Sequence, residues 1–564
     1  MDMNKLIPES MKEGSVEKLP GTNWSPMQQA IFDAVQHETE NISIEAVAGS
    51  GKTTTILHAM NLVQGSVLFL AFNRSIAVEL REKTPMGTDC KTFNALGHGL
   101  LKRKMPGSNL DKWKLSKLLK PRMSGTEYRE FGYELIKIVG SMKSSGMMEP
   151  PMPKDFQSYV EHSEVPMDRI DYASMLLEEL WLGSLDVTNV FTFDDQLYMP
   201  VFWDMLFPTY DTVFVDEAQD LNPIQHMMLS KLAERGARII AVGDSRQAIY
   251  GFRGALTNSM EELNSQFDCM EYPLSVCYRC AKSIVELAQV IVPQIEASPT
   301  APEGSITELD EGVHPKDIPD DSIIMCRTNA PMFRYAVQFL KYKIPCLVVS
   351  NFGEQLIKFV NSFEVTTTED LANEIELDEG VHPKDIPDDS IIMCRTNAPM
   401  FRYAVLFLKY KIPCLVVSNF GEQLIKFVNS FEVTTTEDLA DEIEKWRKKE
   451  IADAESRELF HKINRINDKA RSILPFCDEY RIKAQVVQGL ERLLRSDTGP
   501  RLCTIHKAKG MEAEYAYLLR PDLVPGPWID PDSKEYEQEE NLRYVAITRA
   551  KENLVFMQEY EDEE

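Results

Sequence analysis

The run Ala46-Val47-Ala48-Gly49-Ser50-Gly51-Lys52-Thr53 follows an apolar stretch, residues 42–47, that reads as a strand, and leads into residues 54–62, which read as a helix. Strand, small-residue turn and helix in that order make a phosphate cradle. Small residues from Ala48 to Gly51 let backbone N–H groups close around a polyphosphate at a helix N-terminus, with Thr54 continuing the wall. Lys52 is placed to reach the β- and γ-phosphates, and the Thr53 hydroxyl takes a Mg²⁺ position. The first motif position holds Ala46 in place of the usual glycine.

A second segment supplies the other half of such a site. Val213-Phe214-Val215-Asp216-Glu217-Ala218-Gln219-Asp220 is a short apolar strand ending in adjacent carboxylates. In a P-loop enzyme one of these, Asp216, holds the metal and the next, Glu217, polarises the attacking water. Nucleotide chemistry therefore outweighs the alternatives of a glycine-rich turn and a solvated acidic loop.

The 564-residue length carries a prior of about four domains. Hydrophobic residues make up 43% and charged residues 26%, as in ordinary globular proteins. No apolar run approaches the roughly 18 residues of a membrane span, and the first residues lack a basic-then-apolar leader, so a soluble, cytoplasmic protein with no membrane partner is expected. Ten cysteines are scattered, with one Cys-x-x-Cys at Cys277 and Cys280, and are expected to be reduced thiols. The net charge of −27 opposes a general nucleic-acid surface, so any such contact needs locally concentrated basic residues. Lys102, Arg103, Lys104, Lys112, Lys114, Lys117, Lys120 and Arg122, with Trp113 among them, form one such stretch, read equally as a backbone-contact surface or a solvated helical face.

Strand runs at residues 67–72 and 238–242 and a helical run at 76–83 continue the rhythm of a parallel α/β sheet. Residues 96–184 read as a helical insertion, and a second α/β region begins near Pro273. Inside it, residues 308–375 recur as 376–443, an offset of 68, with only Gln338/Leu406 and Asn373/Asp441 differing. Near-identity and only two copies point to a recent tandem duplication or a sequence-assembly error, and not to a solenoid. Each copy has the makings of one βαβ unit, and either could complete a sheet while its twin protrudes.

With these motifs placed, further segments fall in an order that resembles superfamily 1 helicases of the UvrD/Rep type, over residues 24–557. Trp24-Ser25-Pro26-Met27-Gln28 resembles the adenine-reading motif, with Gln28 pairing the base edge. Ala71-Phe72-Asn73-Arg74-Ser75 and Lys91-Thr92-Phe93-Asn94 resemble the early DNA-contacting motifs, implicating Phe72, Asn73, Thr92 and Phe93. Gly243-Asp244-Ser245-Arg246-Gln247-Ala248-Ile249-Tyr250-Gly251-Phe252-Arg253 is the most family-specific string. The resemblance makes Gln247 a γ-phosphate sensor, Tyr250 and Phe252 stacking surfaces for bases, and Arg253 a DNA contact. Tyr278-Arg279 resembles a motif whose arginine meets the γ-phosphate. Thr504-Ile505-His506 through Glu512 resembles one that touches DNA backbone through Thr504 and His506 and ribose through Glu512. Tyr544 to Ala550 resembles the motif whose Arg549 is an arginine finger.

The resemblance implies an α/β fold of two RecA-like P-loop parallel-sheet motor domains with helical insertions. The first motor domain spans residues 1–95 and 185–272 around the insertion 96–184. The second spans 273–443 and 501–557 around a small helical accessory region, 444–500, before an acidic tail, 558–564, with no fused nuclease. Arg279, Glu512 and Arg549 are assigned to the second sheet and the remaining catalytic residues to the first, with ATP in the seam. The implied activity is ATP- and Mg²⁺-dependent translocation on single-stranded DNA and opening of duplex junctions, with 3′→5′ polarity. An RNA or RNA–DNA helicase, and a non-unwinding ATP-dependent switch that binds a replication or repair partner, remain as alternatives.

Overall fold

The computed structural model describes residues 24–71, 83–149, 152–163, 165–249, 258–342, 344–349, 433–456, 480–487 and 501–558, with isolated positions elsewhere, among them Ala77, Val428 and Ile473. The chain divides into two compact units, residues 1–279 with 291–299, and residues 280–290 with 300–564.

The first unit is built on β1 (Ile42–Ala46), β2 (Val67–Ala71), β3 (Asp89–Thr92), β6 (Thr212–Val215), β7 (Arg238–Gly243) and β8 (Met270–Leu274), ordered β3-β2-β6-β7-β1-β8. Every pairing is parallel. Such strands read as unbroken apolar runs because both faces are covered. Alternate side chains separate cleanly: Leu68, Leu70, Val213, Val215, Ile239 and Ala241 join one core, while Phe69, Ala71, Phe214, Ile240, Val242, Ile42 and Ile44 join another. The second face is covered by the helix Pro26–His37, through Ile31, Phe32 and Val35, and by Lys52–Ala59.

The first face shares its core with the helical region expected over 96–184, including Leu135, Val139, Leu177 and Trp181. Short strands β4 (Asn109–Leu110) and β5 (Val190–Phe191) pair across its ends. At its centre Asp195 is fully buried between Lys114 Nζ, 2.9 Å from Oδ2, and Lys143 Nζ, 2.5 Å from Oδ1. Lys114 also donates to the Ser184 carbonyl at 2.7 Å, and Asp195 Oδ2 accepts from Thr192 N at 2.9 Å. Burial pushes the Lys114 pKa down; for Asp195, burial works against the charge but the two lysines outweigh it and hold its pKa below the usual range.

This cluster removes Lys114 from the basic stretch expected over 102–122. Lys114 is buried, Lys117 pairs with Asp111 at 2.7 Å, Arg122 pairs with Glu179 at 2.9 Å, and Lys102 donates to the Ser108 carbonyl. Arg103, Lys104, Lys112, Lys117, Lys120 and Arg122 are exposed, Lys104 with its Nζ 5.2 Å from the Trp203 ring centroid.

The second α/β region does not begin at Pro273 as expected. β8 contains Pro273 and pairs with β1, so it is an edge of the first sheet. Its proline stands at that edge, where a missing N–H costs least. β9 (Val276–Cys277) and β10 (Glu296–Ala297) pair beyond it in the same unit, and Arg279 falls there too, not with the second sheet.

The second unit holds β11 (Ser305–Glu308), β12 (Ile323–Cys326), β13 (Leu347–Val349), β14 (Arg501–Thr504), β15 (Ala513–Leu519) and β16 (Ala550–Met557), ordered β11-β16-β15-β12-β14-β13 and again parallel. β12, the helix Asn329–Lys341 and β13 come from the first copy of the duplication. The same core takes Val428, Leu439 and Ile443 from the end of the second copy, the last two on the helix Thr436–Ser456. The sheet is thus completed by the front of one copy and the closing helix of the other; the second copy's strands lie outside the described residues. Among the described residues, no helix is long and apolar enough to cross a membrane.

Candidate nucleotide site

β1 ends at Ala46, and its continuation is fixed by the Val47 N–H donating to the Leu274 carbonyl at 3.0 Å. Gly49 (φ 71°) and Gly51 (φ 81°) then take left-handed conformations that L side chains resist. A Cβ at Gly49 would also lie 2.6 Å from the Arg279 Cβ and 2.9 Å from the Cys277 Sγ, so glycine is required there twice over. The turn delivers the chain directly into the helix Lys52–Ala59, whose first N–H groups have no intrahelical acceptor.

The side chains complete an anion site. Lys52 Nζ and Ser50 Oγ are buried without a hydrogen-bond partner among the described residues. Asp244 Oδ2 stands 3.9 Å from Lys52 Nζ, an ion-pair distance but too long for a hydrogen bond. Buried donors are rarely left in this state, and a phosphate would satisfy them. Thr53 and Thr54 are exposed at the same helix end.

Two neighbouring strands aim acids at this end of the sheet. After β6, Asp216 is buried, and its Oδ1 accepts the Glu217 N–H at 2.9 Å. Glu217 has φ 52°, an unusual conformation for a residue with a side chain and one that concentrates at functional turns. Gln219 Nε2 donates to Glu217 Oε2 at 2.5 Å, and Gln219 Oε1 accepts the Asp244 N–H at 3.0 Å. After β7, Gln247 Nε2 donates to Asp244 Oδ2 at 2.5 Å. The two expected turns are therefore wired together through Gln219, a role that its place in the sequence does not announce.

Gln28 lies beside the loop. Its carboxamide accepts from Ser25 N at 3.0 Å in a capping box and donates to Thr55 Oγ1 at 2.9 Å. Tyr278 is half exposed, and its backbone N–H donates to the Gly49 carbonyl at 2.9 Å, which places the residue beside the cradle. A flat aromatic there can stack on a base.

Of the other expected contacts, Thr92 caps the helix Phe93–Lys104 by accepting from Ala95 N at 3.1 Å. Phe93 is a core residue, 3% exposed, and its ring is not available for stacking. It sits at the first turn of a helix whose buried face includes Leu96 and Leu100, which fixes it inward. Phe72, Asn73, Tyr250, Phe252 and Arg253 lie outside the described residues.

In the second unit, Thr504 ends β14 and His506 follows on a short helix, both partly exposed. Glu512 Oε1 pairs with Lys551 Nζ at 2.9 Å. Arg549 is fully buried, with its guanidinium donating to the carbonyls of Val545 and Met511 at 2.9 and 3.0 Å and to Thr548 Oγ1 at 3.1 Å.

Two family models match: the UvrD/REP helicase N-terminal domain over residues 154–268, and the UvrD-like helicase C-terminal domain over residues 423–560. The two matches are the two parts of the UvrD/Rep-type helicase pattern, in order along the chain. Its two parallel sheets are the RecA-like folds of that family. It is 27% identical to DNA helicase II of Escherichia coli over 46% of this chain and 39% of that protein, so the match spans well under half of that relative. It is 22% identical to the ATP-dependent DNA helicase PcrA of Staphylococcus aureus over 93% of this chain and 82% of that protein. F-box DNA helicase protein 1 of Schizosaccharomyces pombe is also 22% identical, over 94% of this chain and 56% of that protein. The C-terminal match begins inside the second repeat copy, close to Val428, where the chain rejoins the second core.

Proposed function

We propose that this chain is an ATP-dependent translocase on single-stranded DNA that separates duplex strands with 3′→5′ polarity. The observation that carries the reading is Lys52 Nζ, a buried cation without a hydrogen bond among the described residues, set at a helix N-terminus 3.9 Å from Asp244, which Gln219 links to Glu217. Backbone N–H groups from Gly49 to Thr53 and the Lys52 ammonium bind the phosphates, and Gln28 and Tyr278 orient the base. Thr53 and Asp216 suit Mg²⁺, which keeps most of its ligands as water and phosphate oxygen and needs few from protein; when bound it neutralises phosphate charge. Glu217 accepts the proton of the attacking water. Gln247 and Arg279 respond to the γ-phosphate, Arg549 stabilises charge developing in hydrolysis, and Glu512 meets the ribose. The DNA strand is followed by Thr92, Thr504 and His506 together with Phe72, Asn73, Tyr250, Phe252 and Arg253.

The test is ATP hydrolysis with and without single-stranded DNA or RNA of one sequence, followed by unwinding of duplexes carrying a 3′ or a 5′ tail. DNA stimulation and opening of the 3′-tailed duplex are expected. Stimulation by RNA alone, or no strand separation, would overturn the reading.

A further inference from the structure

Glu45 is the one charged residue of the parallel strand Ile42-Ser43-Ile44-Glu45-Ala46, just before the phosphate loop. In register it pairs with Gly243 on β7, which brings it beside the turn Gly243-Asp244-Ser245-Arg246-Gln247. There it grips one residue with both oxygens: Oε1 accepts the Ser245 backbone N–H at 2.8 Å and Oε2 accepts the Ser245 hydroxyl at 2.8 Å.

We propose that Glu45 is a positioning residue that locks the 243–247 turn to the strand carrying the phosphate loop, and so sets where Asp244 and Gln247 stand relative to Lys52. The inference rests on the ATP-hydrolysis reading and assigns a residue to that same site. Ser245 begins the single 3₁₀ turn that ends at Gln247, and Asp244 caps it by accepting from Arg246 N at 3.2 Å. Fixing Ser245 therefore fixes both Asp244, the ion-pair partner of Lys52, and Gln247, held on Asp244. Through the Asp244 N–H the same restraint extends to Gln219 and on to Glu217.

Burial pushes the Glu45 pKa up, with Asp244 adding to the rise while the Ser245 bonds and Lys52 oppose it. A folded-state pKa raised above the unfolded value means that the group's contribution to stability is fully present below the unfolded pKa and is lost as pH rises through the folded one. Folding therefore favours the charged carboxylate less than the protonated form. A buried charge that does not favour stability, yet makes two well-formed bonds to a phosphate-sensing turn, is the pattern of a residue kept for function.

The test measures ATPase kinetics of the full chain with saturating single-stranded DNA for Glu45→Ala, Glu45→Gln and Ser245→Ala. Glu45→Ala should lower kcat about tenfold to a hundredfold, as small misplacements of catalytic groups do, while KM for ATP changes much less. Glu45→Gln, whose amide oxygen still accepts the Ser245 N–H, should recover most of kcat and unfold at a higher temperature than the wild type. Ser245→Ala, which removes one of the two bonds from the other side, should lower kcat less than Glu45→Ala and serves if that variant does not fold. An unchanged kcat in Glu45→Ala, or a fall that Glu45→Gln does not repair, overturns the inference. If the wild type hydrolyses no ATP, the underlying reading fails instead.

Discussion

Two places in the first unit bury lysine ammonium groups, and they treat them in opposite ways. In the helical layer Lys114 and Lys143 share Asp195, with ion-pair distances of 2.9 and 2.5 Å and side chains almost wholly excluded from water. At the end of β1, Lys52 has its Nζ buried and unbonded among the described residues, 3.9 Å from Asp244. The first arrangement is complete and needs nothing from outside. The second is under-satisfied, and a fold retains such a group only where a ligand supplies what is missing. Charge alone therefore does not mark a site; the difference in satisfaction does.

The sharpest way to break this comparison is Lys52→Ala. It should abolish ATP hydrolysis while leaving the unfolding midpoint and single-stranded DNA affinity close to wild type, because no hydrogen bond among the described residues depends on that ammonium. Substantial residual ATPase would remove Lys52 from the phosphate site. Arg549 lies between the extremes, buried like Lys114 but satisfied by two carbonyls and a hydroxyl. Arg549→Ala should lower kcat by about 10³-fold or more if it serves as an arginine finger. It should also lower stability by roughly 1–3 kcal/mol, since buried acceptors lose their donor. A stability loss with unchanged kcat would place Arg549 with the structural cations.

Asp195→Asn tests the complete arrangement. Removing the shared carboxylate strands two buried ammonium groups and should cost about 3–5 kcal/mol, read from denaturant unfolding. The Asp195 pKa is depressed in the folded protein, so its contribution is present above the ordinary carboxylate pKa and is lost as pH falls through the folded value. The gap between wild type and variant should accordingly narrow below about pH 4. A gap of under about 1 kcal/mol at neutral pH would mean that the lysines relax to water.

The satisfied and the unsatisfied lysines differ also in how far the amino-acid sequence reveals them. The phosphate loop around Lys52, the Asp216–Glu217 turn and the strand runs beside them are local signals, carried by consecutive residues whose spacing alone fixes their conformation. What the sequence hides is what long-range register decides. Pro273 reads as the start of a new region because a proline and the sequence LSVC beyond it break the strand pattern, yet β8 closes the first sheet beside β1. Phe93 reads as a contact because its segment resembles a DNA-contacting motif, but helical periodicity turns the ring inward. Lys114 resembles part of a basic surface because its partner, Asp195, is far away in the chain. Glu45 does carry a signal of its own: one acid in a strand whose neighbours are all apolar or small.

The duplication separates what is docked from what is merely present. Residues 350–427 lie between β13, taken from the first copy, and Val428, where the chain rejoins the same core in the second. In a single-copy chain the equivalent of Val428 is Val360, reached directly from the end of β13. The extra 68 residues lengthen that connection about eightfold; as an open loop this costs only roughly 2 kcal/mol. Deleting residues 350–417 joins Val349 to Ser418, which recreates the Val349–Ser350 junction and leaves every described strand and helix of the second unit in place. The shortened chain should keep ATPase and unwinding rates within about twofold and gain up to roughly 2 kcal/mol of stability by the same loop-closure argument. Deleting 308–375 or 376–443 should behave alike, because the products differ from it only at the positions where the copies diverge, Gln338/Leu406 and Asn373/Asp441. Loss of ATPase in all three would show that the inserted length itself is required. Loss confined to a chain keeping Asn373 or Leu406 would assign the difference to that side chain, and neither outcome is expected from a core that already uses one copy's strands and the other copy's closing helix.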